Sequence, residues 1–434
     1  MIGTLITLVV CFGLLALSQW WWRSLLNPVS LGILAWTPAL VMLNWPPYFL
    51  SPLYIQLNRP VSLYVYIAMA VALLSFWAGC SLIKSLSPTH AFDVPRRTTD
   101  IDFNPVVAMG LFSVGFLVFV YSYLSSGLAD ISNLDNQQIA ESQYNLHLGL
   151  ISFLELFMDM AAIAMFAYYI RSKKFKYLII PIFTVICYSL TLQKSPVVWL
   201  VIAYSVSALL QPKASYELLL STQLRKMTVA TVIIGVFVGF FLMNHARGLG
   251  DVQMTGASGP VVEQLYIYSG ASAIMNLSVT IDGYLPSDPA LHGGYLLRPV
   301  LWHFIDRDLF SATRYFEGVN TGTYLLYGWA DFRWLGFATL PFFTGAAVML
   351  LIRVAMTGSL LGIILGATGF RAVALSVATD VIFDPLTPII LTIAVFACTA
   401  MQLAMPKAVT PMPMPRLRRP GDLNPPINRL GGRA

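Results

Sequence analysis

Charge is what this 434-residue chain has least of: Asp, Glu, Lys and Arg make up 11% of it, against about 25% in soluble domains. Hydrocarbon takes the place of charge, with 57% of residues hydrophobic. Cysteine is scarce too. Cys11, Cys80, Cys187 and Cys398 all lie in apolar runs, which excludes a disulfide framework in the polar loops and leaves them as small core residues. There is no GxGxxG, phosphate-binding GxxxxGK[ST], GxSxG or HExxH, so nucleotide-driven, serine-hydrolase and zinc-protease chemistries lack support. No repeat of about 20–50 residues is visible. The alternating decamers of an outer-membrane barrel are also missing. The net charge of +6 is not pooled on one patch and does not point to nucleic acid.

What the chain does have is apolar runs of spanning length along its whole course, each able to cross a hydrocarbon core of about 30 Å. The predicted fold is an all-α polytopic membrane protein of about 11 transmembrane helices with one large external loop. The spans are read at 2–19, 29–45, 61–83, 105–125, 148–170, 177–193, 196–210, 227–243, 334–352, 358–378 and 386–405. Eight helices thus fill residues 1–243, a large external loop follows over 244–333, and three helices occupy 334–405. A Pro/Arg-rich tail, 406–434, reads as disordered and cytoplasmic. Ala16-Leu17-Ser18 resembles a signal cleavage site, but no basic residue precedes the first apolar run, so that run is read as a span.

Loop charge sets the orientation. Arg23, Lys84, Arg96, Arg97, Arg171, Lys173, Lys174, Lys176, Lys213, Arg225, Lys226 and Arg353 fall in one alternating set with the tail. The short loops of the other set hold only Arg59 and Lys194. Positive residues stay inside, which predicts a cytoplasmic C-terminus, with the N-terminus and the 244–333 segment outside.

That segment concentrates the reactive side chains. It carries Arg247, Arg298, Arg307, Arg314 and Arg333, with His245, His292 and His303. Tyr295, Trp302, Phe304 and Tyr315 are interleaved with the arginines. A guanidinium fork grips phosphate through two parallel hydrogen bonds and stays charged at any working pH, so this pattern suits a phosphate-bearing, sugar-bearing or lipid-linked substrate. Pairing with Asp306, Asp308 and Glu317 is the structural alternative. The histidines are candidate general bases, and their spacing matches no zinc signature. No metal or cofactor is called for. Within the segment, 261–279 and 324–330 are apolar enough to lie at the interface or dip back into the membrane.

Three residues outside the segment stand out. Lys194 opens an apolar helix in TLQKSPVVWL, where an ammonium either meets an anion or snorkels to headgroups. Glu155 and Asp159 lie one turn apart in the fifth span, near mid-membrane. They either neutralise Arg371 of the tenth span, the preferred reading, or serve a proton relay. Asp380 and Asp384 are alternative partners for Arg371.

Three stretches carry a family resemblance: TLQKSPVVWLVIAYS, YIYSGASAIMNLSVTI and GVNTGTYLLYGWADFRWLGFATLPFFTG. Together with a large external loop late in a multispan chain, they resemble the Wzy-type oligosaccharide repeat-unit polymerases that build O-antigen, capsule or exopolysaccharide. Lys194 departs from the family's usual arginine at that helix entry, giving a point charge instead of a fork. The resemblance implies a metal-independent membrane glycosyltransferase acting on undecaprenyl-pyrophosphate-linked oligosaccharide, with a flippase and a chain-length regulator as partners. It would make the membrane a bacterial inner membrane and the outside the periplasm, so that the N-terminus and the 244–333 loop are periplasmic. Under it, Lys194, Arg247, Arg298 and Arg314 would bind the pyrophosphate, and His303, Asp306 or His245 would take the acceptor proton. The nearest alternatives are an O-antigen ligase and a transporter of lipid-linked sugar, the latter using Glu155, Asp159 and Arg371.

Overall fold

A computed structural model describes residues 2–22, 27–43, 61–86, 103–128, 150–191, 194–210, 271–282, 294–297, 301, 323–355, 359–377, 381–384 and 386–403. Helix is the only regular structure among them. In chain order the α-helices are α1 (Ile2–Trp22), α2 (Pro28–Met42), α3 (Leu63–Ser85), α4 (Pro105–Ser125), α5 (Leu156–Ser172), α6 (Ile179–Leu190), α7 (Lys194–Leu210), α8 (Ala271–Ile281), α9 (Tyr324–Phe332), α10 (Gly336–Ala355), α11 (Leu360–Leu375) and α12 (Leu386–Leu403). A 3-10 turn, Leu150–Glu155, leads into α5.

Local chemistry explains where these helices start. Asn-Pro opens two of them. The Asn27 side chain accepts from the Ser30 N–H at 2.9 Å, and Asn104 accepts from the Val106 N–H at 2.9 Å. In each case the following proline takes the first helical position, where its missing N–H costs nothing. Ser359 caps α11 in the same manner through the Gly362 N–H, at 3.0 Å.

Among the described residues, six stretches are long and apolar enough to cross a membrane: 5–22, 63–85, 105–125, 151–170, 324–355 and 386–403. Shorter apolar helices accompany them at 28–42, 175–190, 196–208, 271–281 and 360–375. Their outward faces stay greasy, with Val106 74% and Leu403 80% exposed. Such a surface is stable in lipid and a liability in water. The chain is a multi-pass helical membrane protein. The eighth predicted span, 227–243, and the tail, 406–434, lie outside the described residues.

The stretch 324–355 is not one straight rod. At about 1.5 Å per residue it would be far longer than the hydrocarbon is thick. The chain turns at Arg333, whose backbone sits at φ 53°, ψ −127°. The return brings Gly328 of α9 against Gly336 of α10, so closely that a Cβ on either would overlap the other's backbone. Only α10, at 20 residues, matches the membrane.

Two cores share one seam. The first gathers α1, α2, α3, α8, α9 and α10 around Ile33, Met69, Met275, Leu325 and Phe337. The second gathers α4, α5, α6, α7 and α12 around Met158, Ile163, Leu200 and Ala397. Helix α11 belongs to both, giving Ala372 and Val373 to one and Ile363, Ile364 and Ala367 to the other. Beyond its end, Ser376 ties three elements. Its hydroxyl accepts from Trp36 Nε1 at 2.9 Å, and its carbonyl accepts from the Tyr324 N–H at 3.3 Å.

The pair α3 and α10 is the most extensively packed among the described helices. Glycine permits the approach: a Cβ on Gly345 would strike the Phe76 carbonyl, and one on Gly79 the Phe342 carbonyl. Cys80 Sγ donates to the Gly345 carbonyl at 3.3 Å. Gly345→Leu is therefore expected to cost about 1–3 kcal/mol by overpacking. Thermal unfolding in detergent checks this against Gly110→Leu, whose Cβ enters open space and should change little.

Aromatic and basic side chains mark the two ends of this pair. At one end Lys84 Nζ stands 4.9 Å from the Trp22 ring centre and 5.3 Å from that of Trp21. At the other Tyr64 meets Trp334 edge-on at 5.9 Å, and Trp334 meets Trp329 at 5.4 Å. Tryptophan at both ends of an apolar pair, with lysine at one and tyrosine at the other, fits two membrane–water boundaries.

Candidate functional site

The described parts of the long polar segment fold back into the bundle. Helix α8 packs on α2 and α3, and every residue from Ala271 to Val279 is buried. At 11 residues it spans about half a bilayer. A helix that short survives at membrane depth only when protein covers it, and α8 is covered all round. Of the 261–279 stretch read as interfacial or re-entrant, 271–279 is buried against the bundle, and 261–270 lies outside the described residues.

The second anchor is Asp331 of α9, 1% exposed. Its two carboxylate oxygens accept the backbone N–H groups of Tyr295, at 2.7 Å, and Leu296, at 2.9 Å. The Tyr295 ring lies parallel to that of Tyr327, one turn before Asp331, with centroids 4.4 Å apart and 7° between planes. A carboxylate that accepts two adjacent backbone donors fixes the turn that carries them. That turn ends one residue before Arg298. Sequence reasoning missed Asp331, because its partners lie 36 and 35 residues away and no local pattern announces them.

Removing the clasp leaves buried N–H groups without an acceptor, at about 1–3 kcal/mol each. Asp331→Ala is expected to destabilise the protein by about 2–4 kcal/mol and to open the 294–297 turn to protease. Asp331→Asn, which keeps one acceptor oxygen, should lose about half as much. Limited proteolysis with melting in detergent reads both.

The third grouping lies in the second core. Asp159, 2% exposed, and Glu155, 3% exposed, follow one another by a turn at the start of α5. The Tyr188 hydroxyl of α6 donates to the Asp159 carboxylate, and Tyr204 of α7 lies within its electrostatic reach. Tyr204 itself donates to the Pro181 carbonyl at 3.2 Å. From α11, the Arg371 charge acts on both Asp159 and Asp384. The structure thus brings together the three residues read as structural or relay, and adds two tyrosines that the sequence did not single out. Asp384 also accepts from the Leu386 N–H at 2.8 Å, which starts α12.

The remaining site expectations fall differently. Lys194 is the first residue of α7. His245, Arg247, Arg298, His303, Asp306 and Arg314 lie outside the described residues, as do His292 and Asp380. Among the described residues, no three His, Cys, Asp or Glu side chains come together as a metal site would require. All four cysteines are free and buried. Compared with models of known families, with curated proteins and with solved structures, the chain matches none.

Proposed function

We propose that the chain polymerises undecaprenyl-pyrophosphate-linked oligosaccharide repeat units into surface polysaccharide at the periplasmic face of the inner membrane. The observation that carries this reading is the seating of the polar segment. Helix α8 is buried in the bundle, and the turn ahead of Arg298 is clasped by Asp331. An arginine-rich segment tied to membrane helices suits the binding of a lipid-anchored pyrophosphate. The resemblance of three stretches to repeat-unit polymerases supports the same assignment, with about 11 spans and the loop outside.

The chemistry needs little beyond charge. Pyrophosphate is a good leaving group, and neutralising the negative charge that develops on it lowers the barrier most. Arg247, Arg298, Arg314 and Lys194 are assigned that task. His303, Asp306 or His245 takes the proton of the acceptor hydroxyl as it attacks the anomeric carbon. The C–O bond to the pyrophosphate breaks, the new glycosidic C–O bond forms, and lipid pyrophosphate leaves. A flippase would supply the units, and a chain-length regulator would set when growth stops. Purified full-length protein in detergent, given lipid-linked repeat units and no nucleotide sugar, is expected to yield a ladder; unchanged single units would overturn the assignment.

The buried grouping of Glu155, Asp159 and Arg371 favours a second reading, a transporter of lipid-linked sugar that uses these residues as its relay. In that case the buried acids are essential and the loop arginines dispensable. An O-antigen ligase shares donor and loop with the first reading, and differs in its acceptor.

A further inference from the structure

We propose that Asp159 is a proton-exchange site inside the helix bundle, its Oδ1 taking up and releasing a proton while Tyr188 holds the carboxyl in place. The inference stands apart from the polymerase reading, since it rests on the second core alone. Asp159 is 2% exposed, and its Oδ1 has no hydrogen-bond partner among the described residues. The charge of an aspartate so placed can be compensated by a direct cation contact, a metal ion or a proton.

The first leaves Oδ1 open: Arg371 acts on Asp159 electrostatically and on Asp384 as well, and Oδ1 accepts no hydrogen bond among the described residues. The second lacks ligands. A dehydrated cation needs several oxygens, and no cluster of three acidic, cysteine or histidine side chains exists among the described residues. A proton needs one oxygen only.

The surroundings suit exchange. The charged and titratable groups that act on Asp159 are Glu155 just before its helix, Tyr188 on α6, Tyr204 on α7 and Arg371 on α11; Cys187 lies beside Tyr188 and Asp384 acts on Arg371. Helices α4 and α12 also pack on α5 and bring no charged residue. The Tyr188 hydroxyl donates to the carboxyl, fixing its orientation without delivering a proton of its own. The exchanged proton comes from water and returns to it: one O–H bond forms at Oδ1 on uptake and breaks on release. A carboxyl in such a setting is the usual proton carrier of membrane proteins, and it would couple a step of the cycle to the transmembrane proton gradient.

Infrared difference spectra of the full-length protein in lipid nanodiscs, recorded between acid and alkaline pH, test this without any activity assay. The expected result is a pH-dependent carbonyl band of a protonated carboxyl. It moves on [13C]aspartate labelling, vanishes in Asp159→Asn, shifts in Tyr188→Phe and persists in Asp384→Asn. A band unmoved by aspartate labelling, or unchanged in Asp159→Asn, overturns the proposal, as does the absence of any such band. Should Asp159→Asn fail to fold, the labelling shift and the Tyr188→Phe shift decide it.

Discussion

Alanine at Arg247, Arg298 or Arg314 is expected to leave cells with single repeat units and no polysaccharide ladder. Each replacement should cut turnover by about 10²–10³-fold, the loss seen when one donor to a developing oxyanion is removed. Lysine at the same positions should restore part of the rate, because it returns the charge without the bidentate fork. At position 194, where lysine already stands, arginine should support polymer and alanine should not. Arg298 is the sharpest of these tests, since the turn that precedes it is anchored by Asp331. Ladders of normal length from all four alanine variants would remove the pyrophosphate-binding role from the loop. Protein abundance in the membrane, measured beside the polysaccharide, separates lost chemistry from lost protein.

Replacing Arg371 by leucine is expected to give the largest loss of stability in the molecule. Its charge acts on two carboxylates, one of them 2% exposed, and withdrawing the positive member of a buried group costs about 3–5 kcal/mol. Arg371→Leu combined with Asp159→Asn should recover part of the loss, since the carboxylate left uncompensated is then gone. Melting in detergent reads the cycle. Strict additivity of the two changes would show that Arg371 and Asp159 do not interact.

The helices were legible because lipid imposes a simple rule on sequence: long uncharged runs, broken by polar loops. The Asn-Pro pairs at 27–28 and 104–105 even mark where two of them begin. The grouping of Glu155, Asp159 and Arg371 was also visible, because acids in an apolar run must find a partner. Other features were hidden for definite reasons. The break at Arg333 was legible, since a span starts at 334, but the sharpness of the reversal was not, because it rests on a non-glycine residue at positive φ that no local pattern announces. The Asp331 clasp joins a side chain to backbone N–H groups, and every residue but proline owns one, so its partners carry no signature. Tyr188 and Tyr204 looked like ordinary span aromatics until folding brought them to Asp159, 29 and 45 residues away.

The most direct measurement is a gel of surface polysaccharide, run with labelled lipid-linked oligosaccharides, from cells lacking this protein. Single repeat units on the carrier at the periplasmic face, with no ladder, are the result predicted for a repeat-unit polymerase. Lipid-linked units trapped on the cytoplasmic face would contradict it and assign the chain to transport.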